Sequence, residues 1–164
     1  MKIATLAAVV VAASAAFGEL IVRDGDTLAF LGDSITQQGQ EKTDGYVNLV
    51  IRSLAIEGVN VKSVKAGISG HKSNDMLARL ERDVLSKKPN VMTLSCGVND
   101  VWHHDWNKGV SLEDYKKNIS AIFDKCAASN CQVVVLTATM FEKPEMEKFK
   151  HNVMVAPYNE WLRD

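Results

Sequence analysis

Leu28-Ala29-Phe30-Leu31-Gly32-Asp33-Ser34-Ile35-Thr36-Gln37-Gln38-Gly39 is the stretch around which the rest of the chain arranges itself. Thr27 to Leu31 is a short, almost wholly apolar run, the pattern of a strand buried on both faces in a parallel sheet. Gly32 ends it, and the polar pair Asp33-Ser34 follows at once. In open α/β sheets ligands sit just beyond the carboxyl ends of strands, so a serine here stands where chemistry is done. Gly-Asp-Ser also suits a plain turn, since all three residues favour one.

The chain after Ser34 alternates. Gln37 to Thr43 reads as polar loop, and Tyr46, Leu49, Val50 and Leu54 then recur at helical spacing, giving a helix from about Gly45 to Glu57 with Gly58 as its stop. Val59, Val61 and Val64 mark a second strand, ending at Ala66-Gly67-Ile68-Ser69-Gly70. A helix capped by Ser73 or Asn74 follows, with Asp75 in its first turn and Met76, Leu77, Leu80 and Val84 as its apolar stripe. Pro89 punctuates, and Val91 to Cys96 is a third strand that runs into Gly97-Val98-Asn99-Asp100. Ser111-Leu112-Glu113-Asp114 resembles a capping box and opens the clearest helix, with Leu112, Tyr115, Ile119, Ile122, Phe123 and Cys126 on one face. Val133 to Leu136 is a fourth strand. Met146, Phe149 and Val153 suggest a last helix, which Pro157 must kink or restart. Strand and helix in alternation predict right-handed βαβ units and a parallel sheet covered on both faces.

Composition bounds the function. A chain of 164 residues with 46% hydrophobic residues makes one domain with an ample core. With 19 basic against 20 acidic residues and no basic stripe, nucleic acid is excluded as a partner class. Lys2, the apolar segment Ile3 to Ala13 and the small residues after it have the layout of a secretory signal peptide, residues 1–18. Cleavage after Gly18 is preferred to cleavage after Ala15. The segment falls short of the roughly 20 residues a membrane span needs, so no stable membrane insertion is expected after cleavage. Residues 19–164 are then a secreted or periplasmic domain. Cys126 and Cys131 are close enough to form a small staple in an oxidising space, while Cys96 reads as a buried small hydrophobe. No metal-ligand spacing is present, and neither metal nor cofactor is expected.

Three strands thus end in small polar clusters: Gly32-Asp33-Ser34, Ile68-Ser69-Gly70 and Gly97-Val98-Asn99-Asp100. Parallel strands set them along one rim. Ser34 is placed to attack a carbonyl, with the N–H groups of Ser34 and Gly70 and the Asn99 amide donating to the oxyanion, and such donors are commonly the largest contribution to acyl transfer.

These three blocks, in this order, resemble those of the GDSL-type, or SGNH, hydrolases, a family of esterases and acylhydrolases named for a serine, a glycine, an asparagine and a histidine. Gly32-Asp33-Ser34, continued by Ile35-Thr36, matches the first block, Gly70 the second, and Gly97-Val98-Asn99-Asp100 the third. The resemblance runs from about Asp24 to the end of the chain. It implies a three-layer, flavodoxin-like α/β/α fold with sheet order 2-1-3-4-5. It also implies a metal-independent ester hydrolase. The complete protein is expected to be a monomer without cofactor, acting on a small-molecule or carbohydrate-linked ester. The tryptophans and the export signal fit acetyl esters on carbohydrate, with lysophospholipid or simple acyl esters as the alternatives. Ser34, Gly70 and Asn99 are then the catalytic residues, with Gly32, Asp33, Gly97 and Asp100 in support.

The family's fourth block departs. Its histidine and orienting aspartate lie in a late Asp-x-x-His motif after a fifth strand, and nothing after Leu136 matches. Asp100-Val101-Trp102-His103 has that spacing, but it follows the asparagine directly, and His103 would have to fold back over its own loop to act as base. His71, next to Gly70, is a second candidate. Otherwise His71, Trp102, His103 and Trp106 would line the substrate pocket. A fragment lacking the fifth strand, the last helix and the histidine is the simplest explanation, and such a chain would be inactive. An inactive binding module of the same fold is one alternative. A phosphate or flavin binder cradling its ligand at Gly32 to Gly39 is another, opposed by the negative charge of Asp33.

Overall fold

A computed structural model describes residues 21–139 and 150–164. The expected leader, and Met146 and Phe149 of the expected last helix, lie outside the described residues. No described helix is long and apolar enough to cross a membrane.

Four parallel strands, β1 (Thr27–Gly32), β2 (Lys62–Gly67), β3 (Val91–Ser95) and β4 (Gln132–Leu136), lie in the order β2-β1-β3-β4. Around them run α1 (Ser34–Glu41), α2 (Tyr46–Ile56), α3 (Ser73–Asp83), α4 (Val98–Trp102), α5 (Leu112–Ala128) and α6 (Lys150–Arg163). The β1 side chains alternate between faces, as the strand's pleat requires. Ala29 and Leu31 pack with Met76, Leu80, Ile119, Ile122 and Val155 from α3, α5 and α6. Leu28 and Phe30 pack with Val47 of α2 on the other face. The result is the α/β/α sandwich that the alternation predicts.

The segment expected as loop after Ser34 is helix α1. It carries too few apolar residues to announce itself, burying only Thr36 and Gly39. Polar contacts hold it instead. Gln40 both accepts from the Gly67 N–H and donates to the Gly67 carbonyl, each at 3.2 Å, and Gln37 accepts from the Ser69 N–H at 2.7 Å. The glutamines thus satisfy backbone groups at the end of β2, which has no second strand neighbour among the described residues.

The N-cap of α3 is Lys72, not Ser73 or Asn74. Asp75 accepts from the Lys72 backbone N–H at 3.0 Å and from its ammonium at 2.7 Å, whereas Ser73 is drawn inward by Asp100. At α5, Ser111 accepts from the Asp114 N–H at 3.1 Å and donates its hydroxyl proton back to the Asp114 carboxylate at 2.8 Å, a variant of the expected box. Helix α6 passes through Pro157 as one element. The N–H that proline lacks would have gone to the carbonyl of Val153, a residue open to solvent. On β4, the last strand among the described residues, Val133 and Val135 line an apolar hollow with Phe123, Cys131 and Leu162.

Cys96, Cys126 and Cys131 are free thiols, so the expected staple is not closed. The end of α5 turns back on itself, with the Cys131 N–H on the Cys126 carbonyl at 2.9 Å, and the two buried side chains face each other. A hydrogen bond to Cys131, with burial, pushes the Cys126 thiol well up, and the same bond pulls Cys131 down. Denatured, non-reduced protein should therefore titrate three thiols with a chromogenic disulfide reagent. A single thiol would mean that the pair has closed.

Candidate active site

The register of the sheet builds the site. Gly32 is level with Gly67 on β2 and with Ser95 on β3, so the three strands end together. The segments that follow (Asp33-Ser34, Ile68-Ser69-Gly70 and Cys96 to Asp100) therefore leave the sheet along one rim, at its carboxyl edge.

Ser34 is the first residue of α1 and half-buried. Asp33 is its N-cap: the carboxylate accepts from the Ile35 N–H at 2.9 Å, and the Asp33 carbonyl takes the Gln37 N–H at 2.9 Å. The Ser34 N–H precedes the first intrahelical bond and so is available to a ligand, at the positive end of the helix dipole. This cap also puts the Asp33 carboxylate where a cradled phosphate would sit, which counts against a nucleotide or flavin site. Burial pushes the Asp33 carboxyl above the usual range, the Ile35 bond opposes that, and the nearby Asp100 charge adds to it.

Ile68 to His71 form a tight turn, closed by the His71 N–H on the Ile68 carbonyl at 3.3 Å. Gly70 occupies its third position with φ +77°, the left-handed region that turn geometry takes from glycine. Gly97 has φ +127°, and its conformation swings the chain from β3 into the short helix α4, which carries Asn99. Asn99 is buried and donates one amide hydrogen to the His71 carbonyl at 3.0 Å. The amide is thereby oriented, and its second hydrogen is left for a ligand.

Asp100 is fully buried and makes no hydrogen bond to a histidine among the described residues. Its carboxylate accepts from the Ser73 N–H at 3.0 Å, the Ser73 hydroxyl at 2.5 Å and the Cys96 thiol at 3.5 Å. Burial raises its pKa, against the lowering effect of the Ser73 bonds. The Asp100-x-x-His103 spacing therefore does not bring that carboxylate into a hydrogen bond with the imidazole, although its charge acts on His103. His103 lies in a 3-10 turn between two exposed indoles, 6.2 Å from Trp102 and 5.4 Å from Trp106 between ring centroids. Trp102 and Trp106 are themselves 5.5 Å apart, and the three rings form one surface after the Asn99 helix.

His71 fails as a base for a different reason. Its Nδ1 accepts from the Arg79 guanidinium at 3.0 Å, so its proton resides on Nε2. Burial, then the Arg79 charge, hold its pKa below the usual value. His104 is bonded through Nε2 to the Val110 carbonyl at 3.2 Å. His151 is buried, with Nε2 3.1 Å from Asp105 Oδ2, within ion-pair range but outside hydrogen-bond geometry. Among the described residues Ser34 Oγ has no histidine partner, and all four histidines of the chain are described.

Two residues at the site escaped the sequence reading. The sequence marks Ser73 only as a possible cap, because its partner Asp100 lies 27 positions away. Arg79 is buried on the packed side of α3, between Met76 and Leu80, and a charge inside an apolar stripe was the available signal.

Relatives share this architecture. The acetylxylan esterase of Geobacillus stearothermophilus is 27% identical over 149 residues, covering 80% of this chain and 68% of that one. Esterase TesA of Pseudomonas aeruginosa is 32% identical over 111 residues, 67% of this chain and 53% of that enzyme. Among solved structures, the acetyl xylan esterase AlAXEase superposes with a TM-score of 0.73 at 34% identity, over 84% of this chain and 72% of that one. Residues 30–164, from within β1 through all three rim segments, match the sequence model of one family, and the chain belongs to it: the GDSL-like lipase/acylhydrolases.

Proposed function

We propose that this domain hydrolyses carboxylic esters, with Ser34 as nucleophile and the Ser34 N–H, Gly70 N–H and Asn99 amide as the oxyanion hole. The observation that supports it most is the common register of Gly32, Gly67 and Ser95, which sends those three segments out along one rim. Ser34 Oγ would attack the ester carbonyl, its proton passing to a base, and the negative oxygen would form where the donors converge. Expulsion of the alcohol leaves an acyl group on Ser34, which water then releases as the acid. Acetyl esters on carbohydrate suit the relatives' names and the exposed indoles of Trp102 and Trp106 beside Asn99. Residues 1–18 would export the domain.

A second reading, a binding module without catalysis, is favoured by the lack of a histidine partner for Ser34. A fluorophosphonate probe separates the two. Covalent labelling at Ser34, lost in Ser34→Ala, supports the esterase. A protein that stays unlabelled even with added imidazole, yet binds acetylated oligosaccharide, supports the binding module. Asn99→Ala should lower kcat about 10²-fold or more with little change in KM, because the donor acts mainly in the transition state. An equal rise in KM at constant kcat would place Asn99 in ground-state binding instead.

A further inference from the structure

Arg79 is 4% exposed, and a buried guanidinium is costly unless its donors are met. Its ion pair is weak. Nη1 lies 3.4 Å from Asp83 Oδ2, and that carboxylate already takes Arg82 at 2.6 and 3.1 Å. The closer bonds of Arg79 go to two neutral acceptors on the rim. Nη2 donates to the Gly32 carbonyl at 3.1 Å and Nε to His71 Nδ1 at 3.0 Å. The Gly32 carbonyl also takes the Ile68 N–H at 3.0 Å, so both of its lone pairs are used. Gly32 is two residues before Ser34, and His71 directly follows Gly70. The His71 carbonyl, in turn, accepts from Asn99 at 3.0 Å.

We propose that Arg79 is the positioning residue of the oxyanion hole. One planar guanidinium holds the strand end that presents Ser34 and the turn that presents Gly70, and through His71 it fixes the amide of Asn99. The inference rests on the esterase reading and deepens it, since it says what keeps three donors from three separate segments in mutual register. Such donors must be held to within about 0.5 Å to act on one developing charge. Arg79 touches no reacting atom. Lysine in its place keeps the charge but not the fork, and cannot reach both acceptors in a fixed plane. A corollary is that His71 is locked as the Nε2–H tautomer.

The test uses the full 164-residue chain. Nitrogen-15 spectra of the imidazoles should show His71 of the unaltered protein with its proton on Nε2, and Arg79→Lys should lose that fixed tautomer. Turnover of p-nitrophenyl acetate, measured with added imidazole, should fall about 10- to 100-fold in kcat in Arg79→Lys, with KM held within about twofold. The double variant Arg79→Lys/Asn99→Ala should lose clearly less than the product of the two single losses, because Asn99 is one of the donors that Arg79 positions. If the two effects multiply, or if Arg79→Lys lowers the melting temperature while the folded enzyme keeps its kcat, Arg79 merely braces α3 and the proposal falls. A proton found on Nδ1 of His71 in the unaltered protein overturns it without any variant. Failure of Ser34 to label despite an intact Nε2–H tautomer would instead defeat the esterase reading, and this role with it.

Discussion

Free imidazole should accelerate p-nitrophenyl acetate turnover by the 164-residue chain, from a starting rate on the order of 10⁴-fold or more below that of an intact serine triad. Each histidine of the chain is committed elsewhere. The Nδ1 of His71 faces the Arg79 guanidinium, which leaves Nε2 protonated and unable to receive the Ser34 proton. His103 packs with Trp102 and Trp106 while its sequence partner Asp100 is bound to Ser73. The ring of His104 is bonded to the Val110 carbonyl, and His151 is buried beside Asp105. With no histidine base at Ser34 among the described residues, the hydroxyl is a weak nucleophile at neutral pH, and on the proposed reading only the oxyanion donors and binding remain. A small diffusible base restores the missing function only if the nucleophile and donors are already in place. The acceleration should therefore be absent in Ser34→Ala and much reduced in Asn99→Ala, while His103→Ala keeps it within about threefold, the allowance made for a change that touches no reacting group. A fast chain without imidazole, silenced by His103→Ala, would show instead that the loop histidine is the base.

The parts of this molecule that were legible in the sequence are those set by local pattern. The apolar run before Gly32, the stripe of Met76 and Leu80, and the face of Tyr115, Ile119 and Ile122 each follow a strand or helix period, and all are buried. The rim clusters were legible for a related reason: each directly follows the apolar run of a strand, and parallel strands put their carboxyl ends on one side of the sheet. What escaped depends on partners distant in the chain. Helix α1 lacks an apolar stripe because Gln37 and Gln40 are spent on the end of β2. Ser73 loses the cap position because Asp100 draws it inward. The docking of α6 rests on Asn159, whose amide both accepts from the Ala138 N–H at 2.7 Å and donates to its carbonyl at 2.8 Å, as a strand neighbour would. Period-based reading cannot see a polar side chain standing in for backbone. The Asp100-x-x-His103 motif shows the converse, a spacing legible in the sequence whose carboxylate is bonded to Ser73 instead of to the histidine.

Asp100→Ala should destabilise the fold far more than any other single change in the rim, because Asp100 ties three segments together. Its carboxylate meets the first residue of α3 twice, through the Ser73 N–H and hydroxyl, and meets Cys96 at the end of β3. The Ser73 hydroxyl also accepts from Asn118 of α5 at 3.0 Å, so the tie reaches a third helix. Truncation leaves a buried N–H and a buried hydroxyl without their acceptor, which costs about 2–4 kcal/mol after the relief of a desolvated charge is set against it. For a chain of this size that corresponds to roughly 5–15 °C in Tm. Asparagine can accept one of the two Ser73 hydrogens and presents an amide to the other, so Asp100→Asn should lie between alanine and the unaltered protein. The pH dependence follows from the raised pKa. The folded state binds the Asp100 proton more tightly than the unfolded one, so this group's contribution to stability is fully present below the unfolded carboxyl value and is lost as pH rises through the folded one. The margin of the unaltered protein over Asp100→Asn should accordingly widen as pH falls from neutrality through that folded value. Thermal melts across pH, taken beside imidazole-supported kcat, decide the role. If Asp100→Asn melts like the unaltered protein yet loses kcat by several hundredfold, Asp100 acts in proton transfer and the structural tie described here is not its function.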